Sequence, residues 1–226
     1  LVKDLLSFGV DFARDEDGNL AYTKEGAHAR NRIVYHEDIT GKEITSHIYE
    51  QCKKRDNITI KEYWTMVDII PNREADRETN ECLGVVVKKA DGTLDTIYAD
   101  FTVLASGGIG GIYRYSTNYR HLTGDAVATA IRHNVELKDI DYVQIHPTTF
   151  YSEKEEDRSF LISESVRGEG ALLYDKDKER FTEELLPRDL LTNEIKKQMK
   201  KDGTNHVWLS MKPIEKEQLT THFPNI

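Results

Sequence analysis

Apolar residues near the amino terminus recur at the spacing of amphipathic helices. The pattern over 2–6 predicts a short helix that Gly9 ends, and the turn-forming residues at 15–19 predict a loop. Apolar positions over 42–54 recur every fourth residue and predict a second amphipathic helix. This part of the chain is therefore expected to consist of helices joined by polar turns.

The following stretch changes to the composition of β-strands. β-branched and aromatic residues favour strands because their side chains pack well on a pleated surface. Runs of such residues, separated by polar and turn-forming segments, predict a small antiparallel meander: strands at 58–64, 65–70 and 82–89, a loop at 72–80 and a turn at 90–93.

A short apolar run at 101–106, FTVLAS, leads into the glycine cluster GGIGG. Such a run is typical of a buried core strand whose carboxyl end meets a ligand. The segment from Thr123, TGDAVATAIRHN, predicts a helix that begins at Gly124 or Asp125, with its start pointing back towards the glycine turn. A strand followed by a turn and a helix is expected of an α/β fold.

Beyond residue 140 the predicted elements become shorter, which indicates a domain boundary between 1–139 and 140–226. The sequence at 163–175 predicts a helix, a tight glycine turn and a strand. Pro187 can start a helix, and a strand at 206–210 and a helix at 214–223 follow. The expected fold class is therefore α/β, with an antiparallel meander, followed by α+β.

Composition narrows the class of protein. Of the 226 residues, 38% are hydrophobic and 31% charged, which is typical of a soluble globular protein. No apolar run approaches the roughly 18 residues of a membrane-spanning helix. The net charge of -9 disfavours binding to nucleic acid or an anionic membrane, since phosphate binding needs clustered Lys and Arg. The two cysteines, Cys52 and Cys82, are too few for a disulfide framework and favour a reducing compartment.

The common catalytic and nucleotide-binding motifs carry little information here. Gly108 and Gly110 satisfy only the first two positions of GxGxxG, and Tyr113 occupies the last. The cluster fits a tight turn at least as well as a phosphate site. The sequence contains no P-loop, GxSxG or HExxH motif and no Cys/His set with metal-ligand spacing, so we expect no metal.

Several polar residues instead lie in apolar or glycine-rich surroundings. They are Glu25, His28, His146, Ser163, Glu164, Arg167 and Arg188. His and Arg are donors suited to carboxylates, and a buried Glu can accept hydrogen bonds from an ammonium group. Structural interpretations stay open for each: a turn histidine at His146, a solvated loop at Glu25, ion pairs of Arg167 with Glu169 and of Arg188 with Asp189.

Read in order, six segments of the chain closely resemble the L-aspartate oxidase family of the fumarate reductase and succinate dehydrogenase flavoprotein superfamily. They are TKEGAHARNRI, VLASGGIGGIYRYSTN, TGDAVATAIR, QIHPTTFY, LISESVRGEGALL and LLPRDLL. Six motifs in register are far more specific than any one of them. The resemblance implies FAD in a large α/β domain, of which 1–139 would be a part, and a smaller capping domain over a dicarboxylate, of which 140–226 would be most.

The resemblance also implies roles for individual residues. The family's FAD contacts correspond to Ala105, Ser106, Gly107, Gly108 and Asp125. Its substrate contacts correspond to His28, His146, Ser163, Glu164 and Arg188, of which His146 and Arg188 would also be catalytic. Glu25 is the third residue that would be catalytic: it lies where aspartate oxidases are thought to orient the α-amino group, and members that act only on succinate or fumarate typically lack this carboxylate. The chain departs from the family pattern at Ser106, where Thr is usual, and at Ala126, where Gly is usual.

The activity implied by the resemblance is oxidation of L-aspartate to iminoaspartate by hydride transfer to FAD, with dioxygen or fumarate as the acceptor. This reaction would be the first step of NAD biosynthesis in the cytoplasm, with handover of the product to quinolinate synthase. Two alternatives stay open: a succinate dehydrogenase or fumarate reductase flavoprotein subunit, and a cofactor-free, non-catalytic domain. Because the family's amino-terminal GxGxxG and its carboxyl-terminal His and Arg are absent, we expect an internal fragment lacking both ends.

Overall fold

A computed structural model describes residues 1–74, 77–154 and 158–226. The described residues form two compact units. The first unit contains Leu1–Ile58 and the described residues from Gln144 onwards except Arg158. The second unit contains Thr59–Val143 and Arg158. This division describes packing, so the domain ranges 1–139 and 140–226 stay predictions.

Both helices expected near the amino terminus are present. Helix α1 spans Val2–Ser7 and is followed by Gly9 at a φ of 92°, and helix α2 spans Thr40–Lys53. The predicted turn at 15–19 also forms, because the carboxylate of Asp15 accepts hydrogen bonds from two following backbone amides. Phe12, which is 1% exposed, lies between α1 and this turn in the chain and belongs to the core.

The second unit contains an antiparallel meander, as predicted, but its third strand lies where no strand was predicted. Strands β1 (Thr65–Glu74), β2 (Arg77–Lys88) and β3 (Leu94–Tyr98) form an antiparallel sheet in that order. The turn at 90–93 joins β2 to β3 as predicted, since the side chain of Asp91 accepts hydrogen bonds from Thr93.

Two predicted strands and one predicted loop are wrong. Residues 58–64 form no strand, because β1 begins only at Thr65. The polar segment 72–80 is not a loop: β1 continues through Glu74 and β2 starts at Arg77, while residues 75 and 76 lie outside the described part. Polar residues do not prevent a ladder of backbone hydrogen bonds from continuing along a hairpin. Residues 101–106 form no strand and are largely exposed, since no strand of the described chain pairs with them.

A 3-10 turn at Gly110–Ile112 follows the exposed segment, and helix α3 (Asp125–Arg132) begins after Gly124, as predicted. The amide of Gly111 donates to the carbonyl of Leu122 at 2.8 Å, so the glycine turn and the start of α3 are held together. The apolar face of α3 is buried at Ala126 and Ala130.

The remaining elements belong to the first unit and confirm the predicted order of helix, glycine turn, strand, helix, strand and helix. They are α4 (Glu164–Gly168), β4 (Leu172–Tyr174), α5 (Arg188–Asp202), β5 (Trp208–Ser210) and α6 (Lys216–His222). Strands β4 and β5 pair antiparallel. Leu173 of β4 packs with Leu191 and Ile195 of α5, so the apolar stripe of α5 faces the small sheet. Within the described ranges, no helix is long and apolar enough to cross a bilayer.

Candidate functional site

Charged side chains from three segments meet in the first unit. Glu164 begins α4 and is only 4% exposed, and Arg188 begins α5. The Nε and Nη2 atoms of Arg188 lie 2.6 and 2.5 Å from Oε2 of Glu164. Oε2 of Glu25, on the loop after Thr23, is 3.8 Å from Nη2 of the same guanidinium. Three residues far apart in sequence thus form one ionic cluster.

The local sequence explains why Glu164 and Arg188 start their helices. The hydroxyl of Ser163 accepts a hydrogen bond from the amide of Ser165 at 3.3 Å and thereby caps α4. Pro187 precedes Arg188 as the cap residue of α5, with φ -48° and ψ 145°, and its carbonyl accepts a hydrogen bond from the amide of Leu191 at 2.9 Å. The predicted substrate residue Ser163 therefore has a structural role at the helix start.

Arg167, in the last turn of α4, is fully buried beneath this cluster. Its Nη1 donates to the backbone carbonyl of Glu184 at 2.6 Å, and its Nη2 is 3.4 Å from Oε1 of Glu164. Burial lowers the pKa of the Arg167 guanidinium, while the Glu164 carboxylate opposes that shift. The ion pair considered between Arg167 and Glu169 is not formed; Arg167 pairs with Glu164 instead, one helical turn away.

Gln144 is a member of the cluster that sequence reasoning missed. Its Oε1 accepts a hydrogen bond from Nη1 of Arg188 at 2.6 Å. Arg188 therefore pairs with Glu164 and Gln144, and the alternative pairing with Asp189 is not formed. The position of Gln144, two residues before His146 in the segment QIHPTTFY, was the available signal, because every other side chain of an extended segment points to the same side.

His146 is half-buried and hydrogen-bonded within its own turn. Its Nδ1 is 2.9 Å from the carbonyl oxygen of Thr148 and 3.3 Å from the amide nitrogen of the same residue, so the tautomer of the ring decides whether Nδ1 donates to the carbonyl or accepts from the amide. Burial lowers the pKa of the His146 imidazole, and the positive charge of Arg188 lowers it further. Both effects favour the neutral ring.

The loop that carries Glu25 also carries His28. The amide of His28 donates to the carbonyl of Glu25 at 3.2 Å, and the amide of Ala27 donates to the carbonyl of Leu185. The Glu25 side chain is 29% exposed, so it is only partly solvated. The Nδ1 atom of His28 is buried and has no hydrogen-bond partner within the described ranges.

The predicted cofactor residues lie together in the second unit. Residues 105–108 are exposed, and none of them makes a backbone hydrogen bond to another described residue. Asp125, at the start of α3, is also exposed, and its carboxylate accepts a hydrogen bond from the hydroxyl of Thr123 at 2.8 Å. Free amides next to a helix start are groups that bind the phosphates of a dinucleotide.

The model of a protein family described as an FAD binding domain matches residues 1–226. The chain belongs to this FAD-binding family. This membership confirms the predicted family and its cofactor, FAD. The roles of individual residues stay predictions.

The curated relatives that the chain resembles are L-aspartate oxidases. L-aspartate oxidases from Clostridium perfringens and Clostridium acetobutylicum are 49% and 44% identical to this chain over 225 residues, which is all of the chain and 49% and 50% of the relatives. An L-aspartate oxidase from Acinetobacter baylyi is 36% identical and is covered to 43% of its length. The chain thus spans about half the length of the relatives it matches.

Solved structures support the predicted fold. A quinol fumarate reductase with menaquinol molecules superimposes with a TM-score of 0.87 at 25% identity, over 99% of this chain and 41% of that one. A flavocytochrome c3 fumarate reductase in an open conformation gives a TM-score of 0.63 at 28% identity, over 87% of this chain and 34% of the other. The fold is therefore that of the fumarate reductase flavoproteins.

Proposed function

We propose that this chain belongs to an enzyme that oxidises L-aspartate to iminoaspartate with FAD, and that dioxygen or fumarate reoxidises the flavin. The observation that carries the proposal is the Glu25 carboxylate 3.8 Å from the Arg188 guanidinium. L-Aspartate carries carboxylates and an ammonium group within a few bonds of one another. A neighbouring anion and cation are complementary to that pair of charges.

Arg188 retains donors for a substrate carboxylate. A guanidinium has five N–H groups. Two of them face Glu164 and one faces Gln144, so one N–H on each of Nη1 and Nη2 has no hydrogen-bond acceptor within the described chain. Two such donors fit a carboxylate bidentately. Glu164, whose oxygens face Arg188 and Arg167, would act by orienting Arg188 and shaping the pocket.

FAD would be held by the exposed amides of residues 105–108 and by Asp125. Amides without internal partners and a carboxylate at a helix start are what a dinucleotide's phosphates and hydroxyl groups require, so the residues present fit the cofactor. When bound, FAD supplies a hydride acceptor for the hydrogen on Cα of the substrate. We assign 1–139 to part of the FAD-binding domain and 140–226 to the capping domain.

The substrate amine must lose a proton before hydride leaves, because the nitrogen lone pair forms the new C=N bond. Glu25 would orient this amine. The neutral imidazole of His146, which burial and Arg188 favour, would accept this proton on its unprotonated ring nitrogen. We assign the proton-accepting role to His146 and a supporting role to His28, which lies on the same loop as Glu25.

The wider setting follows from the proposed reaction. Iminoaspartate hydrolyses readily in water, so a consuming enzyme, here quinolinate synthase, would take it over. The oxidation itself would be the first step of NAD biosynthesis. We place the reaction in the cytoplasm, where two free cysteines are stable. Neither nucleic acid nor a membrane is required as a partner.

The deciding experiment is Glu25→Gln in the intact, FAD-loaded protein. The variant keeps the shape of the side chain but removes its charge, so kcat/KM for L-aspartate should fall about 100-fold, as expected for a lost contact to a charged group, while fumarate reduction changes far less. Steady-state kinetics with both substrates measures this difference. Glu183→Gln, at a side chain that is 77% exposed, is the matched control and should change neither activity.

Arg188→Leu should abolish both activities, because both substrates are dicarboxylates. Retention of either activity would contradict its central role. Equal losses of the two activities in Glu25→Gln would instead favour a succinate or fumarate flavoprotein, and a protein without flavin would favour the non-catalytic alternative.

A further inference from the structure

The loop at Thr23–His28 lies directly along α4. A β-carbon at Gly168 would overlap the carbonyl oxygen of Lys24, and one at Gly26 would overlap Oε1 of Glu164. The backbone of the loop therefore approaches α4 at both ends of the helix, directly at Gly168 and through the side chain of Glu164 at the helix start. Glu25 lies between these two contacts.

Glu169, the residue that follows α4, provides a third attachment. Its amide donates to the carbonyl of Ser165 at 2.8 Å and so continues the helix end. Its Oε1 accepts a hydrogen bond from the hydroxyl of Thr23 at 2.9 Å, and its Oε2 accepts one from the amide of Gln218 in α6. One carboxylate thus joins the start of the Glu25 loop to two helices.

Thr23 links the Glu169 carboxylate to the backbone of the Glu25 loop. It is 4% exposed, and its amide donates to the carbonyl of Ile33 at 2.9 Å, so both its backbone and its side chain are held. Glu25, two residues later, makes no side-chain hydrogen bond within the described residues. The position of its carboxylate therefore depends on where the backbone of the loop is fixed and on the ion pair with Arg188 at 3.8 Å.

We propose that Glu169 is a positioning residue that sets the place of the Glu25 carboxylate through Thr23. A hydrogen bond to an ionised acceptor is about twice as strong as one between neutral groups, which makes Glu169 a firm anchor. A shift of about 1 Å in a group that orients a substrate can cost on the order of 100-fold in rate. The inference rests on the proposed role of Glu25 towards the substrate amine.

The test is Thr23→Val in the intact, FAD-loaded protein, which removes the hydroxyl but keeps the shape of the side chain. We expect kcat/KM for L-aspartate to fall about tenfold, mainly through KM, and fumarate reduction to change less than about twofold. Thr23→Ser, which keeps the hydroxyl, should restore the wild-type values. Thr192→Val is the matched control, because Thr192 is also buried but its hydroxyl has no partner in the described part of the chain.

A double-mutant cycle separates positioning from a general loss of structure. In a Glu25→Gln background, Thr23→Val should lower aspartate turnover by less than about twofold, because the group it positions is gone. An undiminished loss in that background, or proportional losses of both activities in the single variant, would overturn the inference. Glu169→Gln removes the charge and leaves one acceptor oxygen for two donors, the Thr23 hydroxyl and the Gln218 amide, so it should give the same split and decides the matter if Thr23→Val does not fold.

The cycle also distinguishes the two proposals. If Glu25→Gln alone shows no selective loss of aspartate turnover, the proposed function fails. If Glu25→Gln is selective but Thr23→Val and Glu169→Gln are not, only the role of Glu169 fails.

Discussion

At the scale of single residues, burial determines what the charged groups of the cluster can do. Glu164 is 4% exposed and faces two guanidinium groups, whereas Glu25 is 29% exposed and faces one. A carboxylate enclosed by arginines is held in one orientation, while a partly exposed carboxylate can bind a ligand that enters from solvent. This difference supports the proposed roles of Glu164 in orienting Arg188 and of Glu25 in contacting the substrate.

His146 leads to a prediction about pH. Because burial and Arg188 lower its pKa, the neutral imidazole needed to accept a proton should persist below the ordinary value of 6.5. We expect kcat/KM for L-aspartate to have an acidic limb with an apparent pKa below 6.5, with activity falling as pH falls through that value. His146→Gln should lower the plateau of kcat/KM on the order of 100-fold and remove the acidic limb. A pH series of kcat/KM measures both changes. An unchanged acidic limb in this variant would assign the titration to another group.

At the scale of elements, a second buried carboxylate joins β4 to the segment before α5. Glu184 is 4% exposed, and its carboxylate accepts hydrogen bonds from the amide of Leu173 at 3.0 Å and from Nη2 of Arg180 at 2.7 Å. Burial by itself would raise the pKa of Glu184, but these hydrogen bonds and the charge of Arg180 outweigh burial and lower it.

Glu184→Gln should therefore reduce the free energy of unfolding by about 1–2 kcal/mol at pH 7. A lowered pKa in the folded state stabilises the fold above the unfolded value of 4.5, and this contribution is lost as pH falls through the folded value. The difference between wild type and variant should narrow below pH 4.5 in urea unfolding followed by circular dichroism. Glu183→Gln, at an exposed carboxylate that also contacts Arg180, should cost less than about 0.5 kcal/mol.

At the scale of the whole molecule, the residues proposed to bind the substrate and those proposed to bind FAD belong to different units. The proposed substrate groups Glu25, His146 and Arg188 lie in the first unit, and the proposed cofactor residues 105–108 and Asp125 lie in the second. Changes in one unit should therefore affect one property and spare the other.

Asp125→Ala should lower the affinity for FAD on the order of 10-fold, because a charged acceptor is lost. Asp91→Ala is the matched control: Asp91 is also exposed in the second unit and also accepts a hydrogen bond from a threonine two residues away. Flavin absorbance of the purified proteins and titration of the apoprotein with FAD would measure the difference. The Arg188→Leu variant should retain its flavin. Equal loss of flavin in Asp125→Ala and Asp91→Ala would contradict the proposed role of Asp125.

The periodic parts of the chain were predictable because their pattern is local. Helix α5 and strands β1 and β2 follow from apolar spacing and turn residues, which act over a few positions, whereas β3 was not predicted. The segment 101–106 was predicted wrongly, since an apolar run indicates a strand but pairing needs a neighbour that spacing does not reveal.

By itself, the sequence determined the residue types of the site, the order of most elements and, through its motifs, the family. Only the tertiary structure decided which charges meet. Arg188 pairs with Glu164, 24 positions away, and with Gln144 rather than with its neighbour Asp189, and Glu169 binds Thr23 rather than Arg167. The physical reason is that a hydrogen bond forms only within about 3 Å and in the right direction, and distances between segments are set by how the elements pack.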